Sequence, residues 1–156
     1  MKLAMHNEGR SGWRRSVGML ILALAVPGVV QAQTMDLYPK SELPAIELGP
    51  GSTAAVTQIG INNGSKITQV GTSNVGRVAQ SGANNEANLL QAGVGEIGNI
   101  LQIGYGNEAS LKQYLSGGRA DLTQIGTNNQ LSVVQRYTPY VPVKQIGNNL
   151  QLTLYR

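Results

Sequence analysis

Apolar and polar residues alternate in short runs along residues 52–156, and the runs recur every eleven residues. In the stretch SKITQVG, residues 65–71, a small residue, an aliphatic residue, Gln and Gly occupy every second position. Successive side chains of a β-strand point to opposite faces, so these four residues share one face of a strand. The pattern therefore predicts short strands that bury one face, separated by turns rich in Asn and Gly.

A strictly spaced series of Gln residues marks the repeat. Eight successive members stand eleven residues apart and the ninth comes one residue early: Gln58, Gln69, Gln80, Gln91, Gln102, Gln113, Gln124, Gln135 and Gln145. An aliphatic residue stands two positions before each Gln, and Leu154 continues that series before Arg156. These predicted inward residues are Val56, Ile67, Val78, Leu89, Ile100, Leu111, Leu122, Val133, Val143 and Leu154. Asn often follows the Gln by five positions, at Asn63, Asn74, Asn85, Asn107 and Asn129.

Regular and looser units alternate along the chain, so the structural repeat is 22 residues and contains two strands and two turns. A right-handed helical coiled coil also has an eleven-residue period, but Gly and Asn in almost every unit would break such a helix. We predict an all-β fold, a β-solenoid of about five coils with two parallel, amyloid-like sheets. The predicted coils are approximately 52–73, 74–95, 96–117, 118–138 and 139–156, with the missing residue in the turn near Pro139.

The inward Gln residues require hydrogen-bond partners, because a buried amide without them is costly. Stacking in register gives each Gln an amide above and below, as in the amide ladders of cross-β structure. The turn Asn and Gly residues are expected to adopt left-handed backbone conformations. We see no capping element at either end and expect the uncapped edges to recruit further copies.

The N-terminal residues 1–32 resemble a signal peptide. Basic residues precede an apolar run from Val17 to Val30, and a small-residue cleavage site ends at Ala32. Arg14 and Arg15 leave twin-arginine export open beside the general secretory route, and a retained N-terminal anchor is the alternative. Residues 33–51 contain three Pro and are expected to form a flexible segment.

The composition argues against catalytic and metal-binding chemistry. The chain has no Cys, and its single His, His6, lies in the predicted signal peptide. The exported part would therefore lack the commonest general base and metal ligand. We predict no enzyme activity, no catalytic residues, no metal and no cofactor. The net charge of +4 owes much to the basic leader, so we expect no nucleic-acid partner.

Two stretches, S-K-I-T-Q-V-G-T-S-N-V-G-R-V-A-Q at residues 65–80 and Y-G-N-E-A-S-L-K-Q at residues 105–113, resemble curlin repeats. Curlins are the subunits of curli, the amyloid fibres of bacterial surfaces, and the resemblance covers residues 52–156. It implies transport across the periplasm of a Gram-negative bacterium and through the curli secretion pore with its accessory factors. It also implies self-association in fibres at the outer cell surface that serve biofilm formation and adhesion.

The curlin family contains a major subunit that builds the fibre and a minor subunit that nucleates it. Three features favour the minor subunit: the basic C-terminal units, the tail LSVVQR with an irregular turn after it, and the lack of a Gly-rich segment after the predicted signal peptide. The major curlin would then be its partner. The basic residues Arg119, Arg136, Lys144 and Arg156 would contact lipopolysaccharide or phospholipid at the outer membrane, or instead limit uncontrolled stacking.

Two other functions remain as alternatives. A major curlin would have the same repeats and a structural role in the fibre. A soluble β-solenoid that binds ice or another ligand is the more remote alternative, because ice binding calls for flat Thr arrays and Thr57, Thr68 and Thr123 are scattered.

Overall fold

The computed structural model describes residues 29–36, 44–137 and 139–156, and for 29–36 it gives the backbone alone. The described residues form twelve strands: β1 (Val29–Asp36), β2 (Ala45–Glu47), β3 (Thr53–Ile61), β4 (Gly64–Thr72), β5 (Val75–Ala83), β6 (Glu86–Val94), β7 (Ile97–Tyr105), β8 (Glu108–Gln113), β9 (Arg119–Thr127), β10 (Gln130–Gln135), β11 (Tyr140–Asn148) and β12 (Gln151–Tyr155). Residues 1–28, which hold most of the predicted signal peptide, lie outside the described residues.

The strands form two sheets, one from the odd-numbered and one from the even-numbered strands. Sheet A has the order β1-β3-β5-β7-β9-β11, and sheet B has the order β12-β10-β8-β6-β4-β2. Every neighbouring pair for which the register is given is parallel. The ten strands from β3 to β12 therefore make five strand–turn–strand coils, which confirms the predicted solenoid and its 22-residue repeat.

The strand register places equivalent residues of successive coils on top of one another. Gln80 pairs with Gln102, and Ile100 pairs with Leu122. The inner faces of both sheets meet in a core of small and aliphatic side chains, with Leu111 and Val133 fully buried. A shift by one residue would turn every one of these side chains outward, so the alternating pattern fixes the register.

The ninth Gln arrives early because one residue is missing between β10 and β11. The register offset is 22 residues between β8 and β10 but 21 between β9 and β11. This confirms the predicted position of the deletion near Pro139, although residue 138 lies outside the described residues. Sheet B, which contains the looser units, is the less regular sheet: β8, β10 and β12 are shorter than the nine-residue strands of sheet A from β3 onward.

A column of glycines lets the coils approach closely where each strand of sheet A ends. Gly104 has a φ of 127°. A Cβ added to it would lie 1.9 Å from the carbonyl oxygen of Gly126 in the next coil, far inside contact distance. The same clash would occur between Gly60 and Gly82 in the first coil, at 1.8 Å. Glycine is therefore required here by the spacing of the coils as well as by the backbone conformation.

The N-terminal end differs from the expected flexible segment. β1 pairs with β3 from Val29 to Asp36, and β2 pairs with β4. These strands extend the two sheets by one strand each, because their short extended runs match the register of the first coil. The cleavage site predicted after Ala32 would fall within β1, so cleavage there would leave only Gln33–Asp36 of this strand.

Candidate functional site

The inward Gln side chains of sheet A form one continuous hydrogen-bonded column. The Nε2 of Gln58 donates to the Oε1 of Gln80 at 2.8 Å, and the same bond links each later pair: Gln80 to Gln102, Gln102 to Gln124 and Gln124 to Gln145. All five side chains are at most 6% exposed. The predicted Gln ladder is confirmed, and it satisfies polar groups that would otherwise destabilise the core.

Sheet B contains a second column of the same kind. Gln69 donates to Gln91 at 2.7 Å, Gln91 to Gln113 at 2.9 Å and Gln113 to Gln135 at 2.8 Å. At the start of this column the Oε1 of Gln69 is buried and has no hydrogen-bond partner. Continuing the register of β2 places Leu48 opposite Gln69, so the preceding strand supplies no amide there.

Backbone carbonyl groups fix the orientation of these amides. The Nε2 of Gln102 donates to the carbonyl oxygens of Glu86 and Asn107 at 2.8 and 3.0 Å, in addition to Gln124. Only the nitrogen of an amide can donate, so these contacts determine which side-chain atom is nitrogen. Both Gln ladders consequently donate toward the C-terminal end of the solenoid.

An Asn ladder runs along the turns in the opposite direction. The Nδ2 of Asn85 donates to the Oδ1 of Asn63 at 3.0 Å, and Asn107 and Asn129 continue the series at 3.1 and 3.0 Å. The Oδ1 atoms of Asn63, Asn85 and Asn107 also accept the backbone N–H of the equivalent Asn in the next coil, and that of Asn129 accepts the N–H of Leu150. These side chains are 1% exposed. The Asn ladder therefore ties the turns of four coils together.

The role expected for these turn Asn residues was wrong. The left-handed conformation belongs to the residue before each of them, for example Asn62, Ser73 and Asn84, with φ between 54° and 59°. The predicted residues Asn63, Asn74, Asn85, Asn107 and Asn129 have buried side chains that hydrogen bond between coils. The turn requires one residue of positive φ. The residue after it points inward, where an amide side chain is favoured because its N–H groups can donate to the surrounding backbone carbonyl groups.

Glu96 takes the place of Asn in the other row of turns, five residues after Gln91. The sequence shows this departure from the repeat, but no role was predicted for it. It lies between Asn74 and Gly118 in the stack, and its side chain is fully buried. Its Oε1 accepts the N–H of Leu115 at 2.7 Å, whereas its Oε2 is buried without a partner. Burial raises the pKa of this carboxyl, and hydrogen bonds to the backbone of Leu115 and Ala92 offset only part of that effect.

This carboxyl is expected to make the fold more stable in mild acid. A carboxyl with a raised pKa in the folded state holds its proton more tightly there, so stability is greatest below the ordinary value of 4.5 and falls as pH rises through the folded-state pKa. Glu96→Gln should therefore raise stability at pH 7.5 relative to wild type and remove most of the difference between pH 7.5 and pH 5. Urea unfolding at several pH values measures this.

Asp121 affects the pH dependence of stability in the opposite direction from Glu96, and it does so at lower pH. Burial alone would raise its pKa, but hydrogen bonds from Asn99, Arg119 and Tyr140 hold the pKa below the ordinary 3.8. Its contribution is lost only as pH falls below that value. Measurements kept above pH 4.5 therefore report on Glu96, and an unchanged pH dependence in Glu96→Gln would contradict the interpretation.

A polar column on the outer face of sheet A was also missed from the sequence. Arg77, Asn99 and Asp121 are 22 residues apart and stack in register. Asn99 donates to the Oδ1 of Asp121 at 2.6 Å, and Arg119 forms an ion pair with Asp121 at 2.9 Å. The 22-residue spacing of these three residues could have predicted the column, because residues one repeat apart lie next to each other in neighbouring strands.

The four basic residues proposed as a surface anchor are brought to one end of the solenoid but not to one face. Arg119 and Lys144 belong to sheet A, whereas Arg136 and Arg156 follow strands of sheet B. Arg119 is paired with Asp121 and lies 5.7 Å from the ring centre of Tyr140, and Arg136 lies 5.3 Å from that of Tyr114. A flat surface can meet only part of this set at one time.

In the portions of the chain that the structure describes, no three His, Cys, Asp or Glu residues are grouped so that they could hold a metal ion. Across the same residues, no helix has the length and apolar character needed to cross a membrane. The candidate site described above is the stack of amide ladders with the strand edges at its two ends.

Comparisons with protein-family models, with curated proteins and with solved structures found no match for this chain.

Proposed function

We propose that this chain is a minor curlin subunit, which nucleates the polymerisation of a major curlin into amyloid fibres at the outer surface of a Gram-negative cell. The strand edges at the end of the solenoid would pair with an incoming major subunit and hold it in the register of the ladders. This is β-augmentation, in which backbone hydrogen bonds supply affinity and the side-chain columns supply specificity. No covalent chemistry is involved.

One observation supports this proposal above the others. The Gln ladders pass from coil to coil in a fixed register, and no described strand lies beyond β11 or β12. A chain with Gln at the same spacing can extend both the backbone ladder and the amide columns. Such a preformed edge lowers the nucleation barrier because the incoming strand no longer has to find its register unaided.

The nucleator function predicts that small amounts of this chain shorten the lag of major curlin assembly. The mature chain, prepared as folded solenoid, is added at about one part in fifty to monomeric major curlin, and thioflavin fluorescence reports fibre growth. The matched control is the Gly104→Ala variant, which cannot stack its coils closely. A lag time that the wild-type chain leaves unchanged would overturn the nucleator proposal.

A major fibre subunit is the second candidate, and the regular nine-residue strands of sheet A favour it. A minor subunit and a major subunit differ in how each is attached to the cell. We propose that Arg136 and Arg156, which both follow strands of sheet B and are hydrogen bonded to each other through their backbones, contact lipopolysaccharide or phospholipid. Replacing both by Gln should therefore release a nucleator into the medium. A fibre subunit would stay with its fibre, and immunoblots of cells and medium distinguish the two outcomes.

A further inference from the structure

We propose that Asn63 is a site of spontaneous deamidation, which is reactive while the chain is unfolded and protected once the first coil has formed. The reaction converts its side-chain amide into a carboxylate at the first position of the Asn ladder. Asn63 thereby limits how long the chain can remain unfolded and still complete its first coil. This inference does not depend on the proposed function, because it concerns chemistry within a single chain.

Asn63 is followed by glycine, and no other Asn in the chain is. In Asn deamidation the nucleophile is the backbone nitrogen of the next residue, and a side chain on that residue hinders its approach. Glycine has no side chain and the widest choice of backbone conformations. The later members of the ladder, Asn85, Asn107 and Asn129, are followed by Glu or Gln. The first coil alone therefore carries the reactive pair.

The fold itself does not require glycine at position 64. Gly64 has no positive φ, and a Cβ added to it would meet no described atom within 4 Å. The strand register places Glu86, Glu108 and Gln130 at the same position in the following coils. A long side chain is therefore compatible with this position, unlike the position of Gly104. The glycine makes Asn63 more reactive without being needed for the turn.

The reaction consumes one water molecule and releases one ammonia molecule. The backbone nitrogen of Gly64, after losing its proton to hydroxide, attacks the side-chain carbonyl carbon of Asn63. The amide nitrogen takes up a proton and leaves as ammonia, and a five-membered succinimide ring remains. Water then adds to one of the two ring carbonyl groups, and the ring opens to aspartate or to isoaspartate at position 63. Neither an oxidant nor a reductant takes part.

Folding keeps the two reacting groups apart from each other and from water. The N–H of Gly64 donates to the carbonyl oxygen of Asn85 at 2.8 Å. The side chain of Asn63 is 1% exposed, and its Nδ2 donates to the carbonyl oxygens of Ile59 and Gly82 at 3.3 and 3.0 Å. Its Oδ1 accepts from the backbone and side chain of Asn85 at 3.2 and 3.0 Å. Deamidation of the folded chain therefore requires the first turn to open.

Either product disrupts the first turn. An aspartate can still accept from Asn85, but it has no N–H for the carbonyl groups of Ile59 and Gly82. Its negative charge would lie beside those oxygens in a buried site, which is costly. Isoaspartate adds one backbone atom just before β4, whose register with β6 begins at Gly64. A shifted strand no longer aligns its inner side chains with the next coil.

Peptide mass spectrometry tests the site. The chain is incubated at mildly alkaline pH in concentrated guanidinium chloride and, in parallel, as folded solenoid in the same buffer without denaturant. In the unfolded chain, the peptide with Asn63 should gain the mass of deamidation and be labelled by an isoaspartate methyltransferase, whereas those with Asn85 and Asn107 stay nearly unmodified. In the folded chain, modification of Asn63 should be at least about tenfold slower, because only locally open molecules react.

Gly64→Gln is the matched control. It reproduces the pair Asn129-Gln130, which the fourth coil already contains. In denaturant it should slow the modification of Asn63 by about tenfold or more, because the added side chain hinders attack and restricts the backbone. This comparison is made on unfolded chains, so it holds whether or not the variant folds as well as wild type.

Refolding tests the consequence for the first coil. Samples aged in denaturant are diluted into buffer, and circular dichroism gives the fraction that regains the sheets. For the wild-type chain this fraction should fall as the modified fraction rises, whereas Gly64→Gln aged for the same time should refold like a fresh sample. Asn63→Asp imitates one product without ageing, and it should unfold at a lower urea concentration than wild type.

The proposal is overturned if Asn63 stays unmodified in the unfolded chain, or if it is modified equally fast in the folded chain. Modification of Asn85 or Asn107 at the rate of Asn63 would show that Gly64 is not the cause. A modified chain that refolds as well as a fresh one would remove the time limit. These measurements contain no major curlin, so failure of the nucleator proposal, seen as an unchanged lag, is observed separately.

Discussion

Replacing Gln102 by Leu is expected to destabilise the fold by on the order of 4 kcal/mol. The amide of Gln102 donates to Glu86, Asn107 and Gln124 and accepts from Gln80, all inside the molecule. Leu has a similar size, so it leaves little cavity, but it leaves several of these buried polar groups without a partner. Urea unfolding of the isolated chain, followed by the circular dichroism of the sheets, measures the loss.

Gln130→Leu is the matched control. Gln130 lies on the surface, and its side chain donates only to the exposed Glu108, at 3.0 Å. Surface substitutions of this kind usually change stability by no more than about 0.5 kcal/mol. A Gln102→Leu variant as stable as Gln130→Leu would show that the ladder adds nothing to the packing of the coils.

Gly104→Ala should be still more damaging, with a loss on the order of 5 kcal/mol or failure to form the solenoid. Its Cβ would lie 1.9 Å from the carbonyl oxygen of Gly126, and its φ of 127° is unfavourable for alanine. The clash is with backbone, so relief requires moving one coil away from the next. Such a movement breaks the hydrogen bonds of Gln102 and Asn107 to the following coil.

Gly147→Ala separates the two causes of the stability loss expected for Gly104→Ala, which are the strained backbone and the clash with the next coil. Gly147 has nearly the same φ, 136°, but a Cβ there would approach no closer than 3.4 Å to any described atom, in this case a side-chain carbon of Leu150. It should therefore suffer the backbone strain alone, about 1–3 kcal/mol. Thermal or urea unfolding of both variants gives the comparison, and equal losses would mean that close contact between coils is unimportant.

The inner columns of the solenoid could be predicted because they obey two independent periodicities. Side chains alternate along each strand, and the whole unit recurs after eleven residues, so Val78 and Gln80 could be assigned to the inner face from spacing alone. Stacking of Gln80 on Gln102 followed from the alternation of regular and looser units. Both assignments depend on local rules that the complete structure does not override.

The different roles of neighbouring Asn residues could not be predicted from the sequence. In INNGS, Asn62 adopts the left-handed conformation and Asn63 enters the ladder. Asn suits both roles, so composition does not choose between them. The choice depends on where the strand ends relative to the carbonyl groups of the next coil, which is a property of the stacked structure.

The two N-terminal strands were missed for a different reason. β1 and β2 lack the Gln that marks every later unit, since Thr34 and Leu48 stand at the amide positions of the register. Their pairing depends on the edges that β3 and β4 offer, so it arises from the tertiary structure and leaves no periodic signal. The buried Glu96 likewise becomes recognisable only when its neighbours in the stack are known.

The opposed directions of the Gln and Asn ladders have a consequence for long assemblies. A column of amides that all point one way adds its dipoles, as aligned peptide groups do along a helix. In a fibre of many coils, such a column leaves partial charges of opposite sign at its two ends, and their size does not grow with the number of coils. The Asn side-chain bonds point the opposite way, but each Asn Nδ2 also donates to a glycine carbonyl of the following coil, so the Asn column offsets only part of these end charges.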